Sequence, residues 1–171
     1  MGLILISYHP AYDIYHCLFR QLLLLENLPG KKSAMDQLRI LDFYLLFPSL
    51  LGVVRMPQTL AKRRTELTRG TLHYEMIEDP YKLFVQLERI QVTSTKLLAS
   101  CELTSFEDVK SMVVQRTSKE IPSMLASAIH QTAKEQTALL SFLTGPFFDI
   151  DFYGPKGLKA RTGLMEHRYD E

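Results

Sequence analysis

Leu38-Arg39-Ile40-Leu41-Asp42-Phe43-Tyr44-Leu45-Leu46-Phe47-Pro48 runs almost wholly apolar from Leu41 onward, and it follows a helix-start signal. Ser33 with Asp36 three residues later resembles a capping box, in which side-chain oxygens take up orphan amides of a helix's first turn. Leu38, Leu41 and Leu45 recur at helical spacing, and Pro48, which lacks an amide hydrogen, ends the run. A helix this apolar can be buried on nearly every side. The pattern therefore predicts the core of the molecule here, with the rest of the chain packed around it.

Upstream, Ala11 to Leu28 is also helical in period. Ile14, Leu18, Leu22 and Leu25 share a face that Tyr12, Tyr15, Phe19 and Leu23 widen, leaving Asp13, His16, Arg20 and Asn27 as a polar strip. Other elements or another chain must cover such a surface, because exposing it costs about 25 cal/mol per Å² of apolar area. Pro29-Gly30 stops this helix, and Leu3 to Tyr8, ended by Pro10, reads as a short buried strand.

Downstream, Asp79 as N-cap and Pro80 at the first helical position start a helix carrying Leu83, Leu87, Ile90 and Leu97, predicted to run to about Cys101. Thr104 and Glu107 form a second capping-box pattern, opening a short helix with Phe106, Val109 and Met112 inward. Residues 118–144 are the longest periodic segment. Ile121, Leu125, Ile129, Thr132, Gln136, Leu139 and Leu143 make a partly polar seam, with Pro122 in the first turn and Gly145-Pro146 closing it. The period then changes to two: Phe148, Ile150 and Phe152 alternate with Asp149 and Asp151, as in a half-buried strand. Gly154-Pro155-Lys156-Gly157 supplies a turn from which 158–164 can return as a second strand. The expectation is one domain over 1–171, mainly α with a small β component (α+β). It has a strand and two core helices in 1–48, a helical part over 79–145 and a hairpin over 147–164, an order that suggests a winged-helix arrangement.

With 46% hydrophobic and 23% charged residues the composition is that of a globular protein rather than a disordered one. A net charge of +1 supplies no global field for nucleic acid or anionic membrane, so contacts of that kind must come from local clusters. Cys17 and Cys101 lie far apart in apolar helical stretches, as expected for buried, reduced thiols of a cytoplasmic protein. Met1 to Ile6 is apolar without the basic start of a signal peptide, and no run approaches the roughly 20 apolar residues of a membrane span. No membrane contact is expected.

Chemistry is hard to place. The eight glycines are scattered at turns and build neither a phosphate-binding loop nor a dinucleotide fingerprint. Asp13 and His16 share a helix face at a spacing able to hold a metal or orient an imidazole, although an ordinary polar strip explains them as well. His9, His73, His130 and His167 lack a second ligand at a recognised spacing, and the two cysteines form no close pair. Asp149 and Asp151 are conceivable cation ligands of a metal-dependent nuclease, but charges on an edge strand serve equally to discourage pairing. No catalytic residue, metal or cofactor is therefore expected. Two basic groups have more to offer: Arg55, Lys62, Arg63 and Arg64, with Arg69 beyond, and Lys156, Lys159 and Arg161, with Arg168 beyond. Both are candidate contacts for DNA phosphates, which position a protein without reading sequence, and equally for an acidic protein. A stand-alone winged-helix DNA-binding regulator would use the same residues.

Tyr12-Asp13-Ile14-Tyr15-His16, together with the stretch from Leu38 to Pro48, resembles the middle-component proteins of bacterial three-component ABC-ATPase defence systems, the class that includes the small subunit of Lamassu. The likeness is clearest from about His9 to Pro57; beyond that it extends mainly to length and helical order. It implies a non-catalytic accessory subunit of an anti-phage and anti-plasmid complex. Its partners would be an SMC-like ABC ATPase, as a dimer, and an effector that is often a nuclease, with double-stranded DNA reached through the complex.

Overall fold

The computed structural model describes residues 9–69, 77–105 and 112–166. Within them the chain is mainly helical with one small antiparallel sheet. After a single 3-10 turn at Pro10–Tyr12, α1 spans Ile14–Asn27. Asp13 is its N-cap, its carboxylate accepting from the amides of Tyr15 (2.8 Å) and His16 (2.9 Å). The Asp13–His16 spacing is thus used to start the helix, satisfying two of its orphan amides. Gln21, Leu22, Leu23, Leu24 and Leu25 are all buried, so α1 is enclosed over this stretch before it reaches the surface at Asn27.

The chain turns through Gly30, whose φ of 62° lies in the left-handed region that glycine adopts without a Cβ clash. It then enters β1 (Lys32–Ala34) and α2 (Met35–Leu46). Ser33 is the central residue of β1, and Ala34 caps α2 with no side-chain hydrogen bond. The capping box is therefore not formed, because pairing with a second strand takes Ser33 out of N-cap position. The core helix itself is where the apolar run put it. Leu38 and every residue from Ile40 to Leu45 are buried, and Pro48 opens a 3-10 segment over Pro48–Val53. α3 (Gln58–Thr68) follows with no buried residue, and α4 (Pro80–Ser100) with Asp79 as N-cap. Phe84, Leu87, Gln91, Ser94, Thr95 and Leu98 of α4 recur at three-to-four spacing and pack it against α1 and α2.

β2 (Val113–Gln115) pairs with β1 in the register Lys32–Gln115, Ser33–Val114 and Ala34–Val113, so the sheet joins the start of α2 to the middle of the chain. The seam expected over 118–144 is two helices, α5 (Ser123–Glu135) and α6 (Thr137–Leu143). Pro122 stands before the first turn as N-cap. At Gln136 the backbone leaves helical geometry (φ −109°, ψ 24°), and the Thr137 hydroxyl donates to the carbonyls of Ala133 (2.9 Å) and Lys134 (2.7 Å) across the break.

The hairpin expected over 147–164 does not form. Asp149 donates its amide to Gly145 (2.9 Å) and Ile150 to Phe147 (3.4 Å), so the segment satisfies its backbone through turns and needs no partner strand. Residues 158–162 form a short helix, α7 (Leu158–Thr162), that buries Leu158 and ends at Gly163 in the left-handed region. A Cβ on Gly157 would collide with the Tyr153 carbonyl, which explains the glycine at this tight corner. The strand over Leu3–Tyr8, and Glu107 with most of the short helix placed after Thr104, lie outside the described residues.

Helices α1, α2 and α4 meet around charge as well as hydrocarbon. Asp42, 0% exposed, accepts from Arg20 Nε (2.6 Å) and Nη2 (3.2 Å) and from Gln91 Nε2 (2.9 Å), with the Cys17 thiol at 3.8 Å. Gln91 also donates to the Arg39 carbonyl (3.1 Å) and accepts from Arg39 Nε (3.1 Å), while Gln21 donates to the Gln91 carbonyl (2.9 Å). The Arg39 guanidinium lies 4.5 Å from the centre of the Phe84 ring. Every strand of this network crosses between α1, α2 and α4, so it ties their register together where apolar packing alone leaves sliding freedom.

Candidate interaction surface

The two basic groups, about a hundred positions apart in the chain, meet in space. The Arg55 amide donates to the Arg161 carbonyl (3.3 Å), and Arg161 Nη1 donates to the Arg55 carbonyl (2.6 Å). Arg161 Nε donates to the carbonyl of Lys156. One guanidinium on α7 thus joins the segment after Val53 to the turn before Leu158. Arg64, on α3, donates Nη1 to the Val54 carbonyl (3.1 Å), closing the seam from the other side.

The seven cations divide by occupation. Arg64 and Arg161 are half-buried and spend donors on backbone carbonyls. Arg63 holds its guanidinium 5.7 Å from the centre of the buried Phe142 ring, and the Lys159 ammonium lies 5.8 Å and 5.3 Å from the rings of Phe152 and Tyr153. Such cation–π placements fix where the charge sits. Arg55, Lys62 and Lys156 are exposed. Among the described residues no acidic side chain forms an ion pair with Arg55, Lys62, Arg63, Arg64, Lys156 or Arg161, although Glu66 is exposed on α3 and Asp149 and Asp151 are exposed nearby in sequence.

The remaining candidates resolve differently. Asp149 lies in a turn and Asp151 in irregular chain, and the Asp151 carbonyl accepts from the Leu158 amide (2.8 Å). Among the described residues no three His, Cys, Asp or Glu side chains are grouped to hold a metal ion. Cys17 is buried, and its thiol is pushed up to about 12 by burial and by the charge of Asp42. Cys101, expected to be buried, is exposed, because α4 ends at Ser100 and Cys101 becomes its C-cap. Burial alone would lower the Arg20 pKa, but the Asp42 carboxylate more than offsets this and holds it above the ordinary arginine value. Two open cavities flank α1. One of about 240 Å³ is lined by His16, Phe19, Arg20, Leu45 and Thr132, and one of about 280 Å³ by Glu26, Asn27, Ile129 and His130.

Sequence reasoning missed the buried Arg20–Asp42–Gln91 network. Its signal was visible as Arg39 and Asp42 inside an otherwise apolar run, since charges there must be paired. The Arg55–Arg161 clasp carried no signal, because nothing in a sequence announces a contact across that separation.

Fold and surface together define a mainly helical α+β protein with a buried charged network at its three-helix junction and an exposed basic seam. The family of ABC-three component (ABC-3C) system Middle Component 5 matches residues 6–170, and the chain belongs to it. No curated protein and no solved structure matches it. As a middle component the protein is one subunit of a multi-component system and has partners in a complex. No helix among the described residues is long and apolar enough to cross a membrane.

Proposed function

We propose that this middle component is a non-catalytic accessory subunit in a cytoplasmic, Lamassu-type anti-phage and anti-plasmid complex. It bridges an SMC-like ABC ATPase dimer and an effector nuclease, and holds the effector inactive until the ATPase engages foreign DNA. The observation that carries this reading is the family match over nearly the whole chain. It is supported by large apolar side chains left on the surface, among them Tyr15 (75% exposed) and Met124 (85% exposed), which a partner can cover. Co-expression with the genes on either side is expected to yield a stable complex on size-exclusion chromatography. A chain that elutes as a monomer and ignores both neighbours overturns the proposal.

The basic seam favours a second reading, a stand-alone winged-helix DNA-binding regulator. Its wing would have to lie elsewhere than 147–164, where turns and α7 stand in place of a hairpin. That reading requires DNA binding with no effect of the neighbouring proteins on affinity.

A further inference from the structure

We infer that the seam between α3 and α7 is a composite binding surface for the phosphate backbone of duplex DNA, with Arg55, Lys62, Arg63 and Lys156 as contacts and Arg64 and Arg161 as positioning residues. The inference deepens the accessory-subunit reading and rests on it for the source of the DNA, the duplex that the ATPase engages.

The division of labour follows from what each side chain already touches. Arg161 has donors committed to the carbonyls of Arg55 and Lys156 and so holds two distant segments side by side, while Arg64 ties α3 to the carbonyl of Val54 beside them. The segments they hold carry the exposed Arg55 and Lys156. On α3, Lys62 and Arg63 are exposed and Arg69 follows two turns later. At 1.5 Å per residue Lys62 and the C-cap Arg69 stand roughly 10 Å apart, a span that faces about six backbone charges of a duplex, which carries one per 1.7 Å, so Arg69 flanks the four contacts. Unpaired cations held at that spacing suit a regular array of phosphates. A tight protein partner generally needs an apolar centre to desolvate. Here the aromatic rings beneath the seam, Phe142 and Phe152, are instead covered by Arg63 and Lys159.

No base-reading group belongs to this set, so binding is expected to be indifferent to sequence. Four phosphate contacts impose a salt slope of about −3.6 in log K against log salt, or a roughly hundredfold loss of affinity between 50 and 200 mM salt.

The test is fluorescence anisotropy of the full chain with a labelled 30-base-pair duplex of arbitrary sequence across that salt range. The double variant Lys62→Glu with Lys156→Glu is expected to lose about two units of slope, to keep the wild-type melting curve, and still to co-purify with the ATPase. Lys96→Ala and Arg89→Ala, on exposed positions of α4, are expected to change nothing. Absence of wild-type binding at 50 mM salt overturns the inference. So does an unchanged slope in the double variant, or an equal loss in the α4 variants. If wild type ignores DNA and the double variant loses the ATPase, the seam is a dock for an acidic protein, and the accessory-subunit reading stands without this one. If DNA binds as expected and no complex forms, the reverse holds.

Discussion

Replacing Asp42 by alanine removes the acceptor at the centre of the three-helix junction. Four donors lose their partner: Arg20 Nε at 2.6 Å, Arg20 Nη2 at 3.2 Å, Gln91 Nε2 at 2.9 Å and, more weakly, the Cys17 thiol at 3.8 Å. The Arg20 side chain is only 11% exposed, so its charge stays largely out of water. Removing one partner of a buried pair costs about 3–5 kcal/mol, since the remaining charge is left uncompensated. Gln91 keeps the Arg39 carbonyl for its other hydrogen, so its loss adds only about 1 kcal/mol. A total of about 4–6 kcal/mol approaches the whole stability of many domains, which lies at about 5–15 kcal/mol. Urea denaturation followed by circular dichroism at 222 nm measures it, and a parallel thermal scan is expected to lose roughly 8–24 °C, at about 2–4 °C per kcal/mol. The double variant Arg20→Met with Asp42→Leu separates charge from packing. If the cost is the stranded guanidinium, this variant recovers most of the loss. A loss below about 1 kcal/mol in Asp42→Ala would refute the reasoning, because Arg20 would then have reached water by a small adjustment.

Leu41→Ala, at a fully buried position of α2, is expected to cost about 2–5 kcal/mol in the same denaturation assay, and an unchanged melting temperature contradicts the placement of the core. Glu26 accepts from Arg116 Nε (2.5 Å) and Lys31 Nζ (2.7 Å), and these contacts hold its pKa below the ordinary glutamate value despite the opposing effect of burial. A depressed folded-state pKa stabilises the fold above the unfolded-state value and ceases to do so as pH falls through the folded one. Stability should therefore drop on acidification below about pH 4.5, and Glu26→Gln should flatten that limb of a melting-temperature profile. With a disulfide-exchange reagent at pH 8, Cys101 is expected to react promptly and Cys17 only on unfolding, because the first thiol is open to the reagent while the second is buried and held near 12.

The core was legible because α2 and α1 bury so much of their circumference that almost any arrangement must enclose Leu22 to Leu25 and Ile40 to Leu45. Periodicity alone located both helices and α4 within a few residues. It failed where the backbone departed from the pattern. Ser33 reads as a cap but pairs in β1, and the chain breaks at Gln136 inside a segment that the apolar spacing runs straight through. The tail shows the limit of period-two reasoning. Phe148, Ile150 and Phe152 are indeed less exposed than Asp149 and Asp151, yet the alternation arises from successive turns. A burial pattern records which side chains face inward and is silent on which carbonyl each amide finds.

The basic surface was legible in another sense. Its seven residues were identifiable as two clusters of like charge, but their meaning changes once Arg161 is seen bridging Arg55 and Lys156. As isolated clusters, each is as easily a solvated face as a binding site. Joined, they place the exposed charges of Arg55, Lys62 and Lys156, from two distant segments, on one seam, and that arrangement opposes folding through self-repulsion unless a partner neutralises it. A fold that spends two arginines to hold like charges together is stabilised most when anions cover them. Seam occupancy and stability are therefore linked: a ligand that binds only the folded chain raises its melting temperature in proportion to RT ln(1 + [L]/Kd).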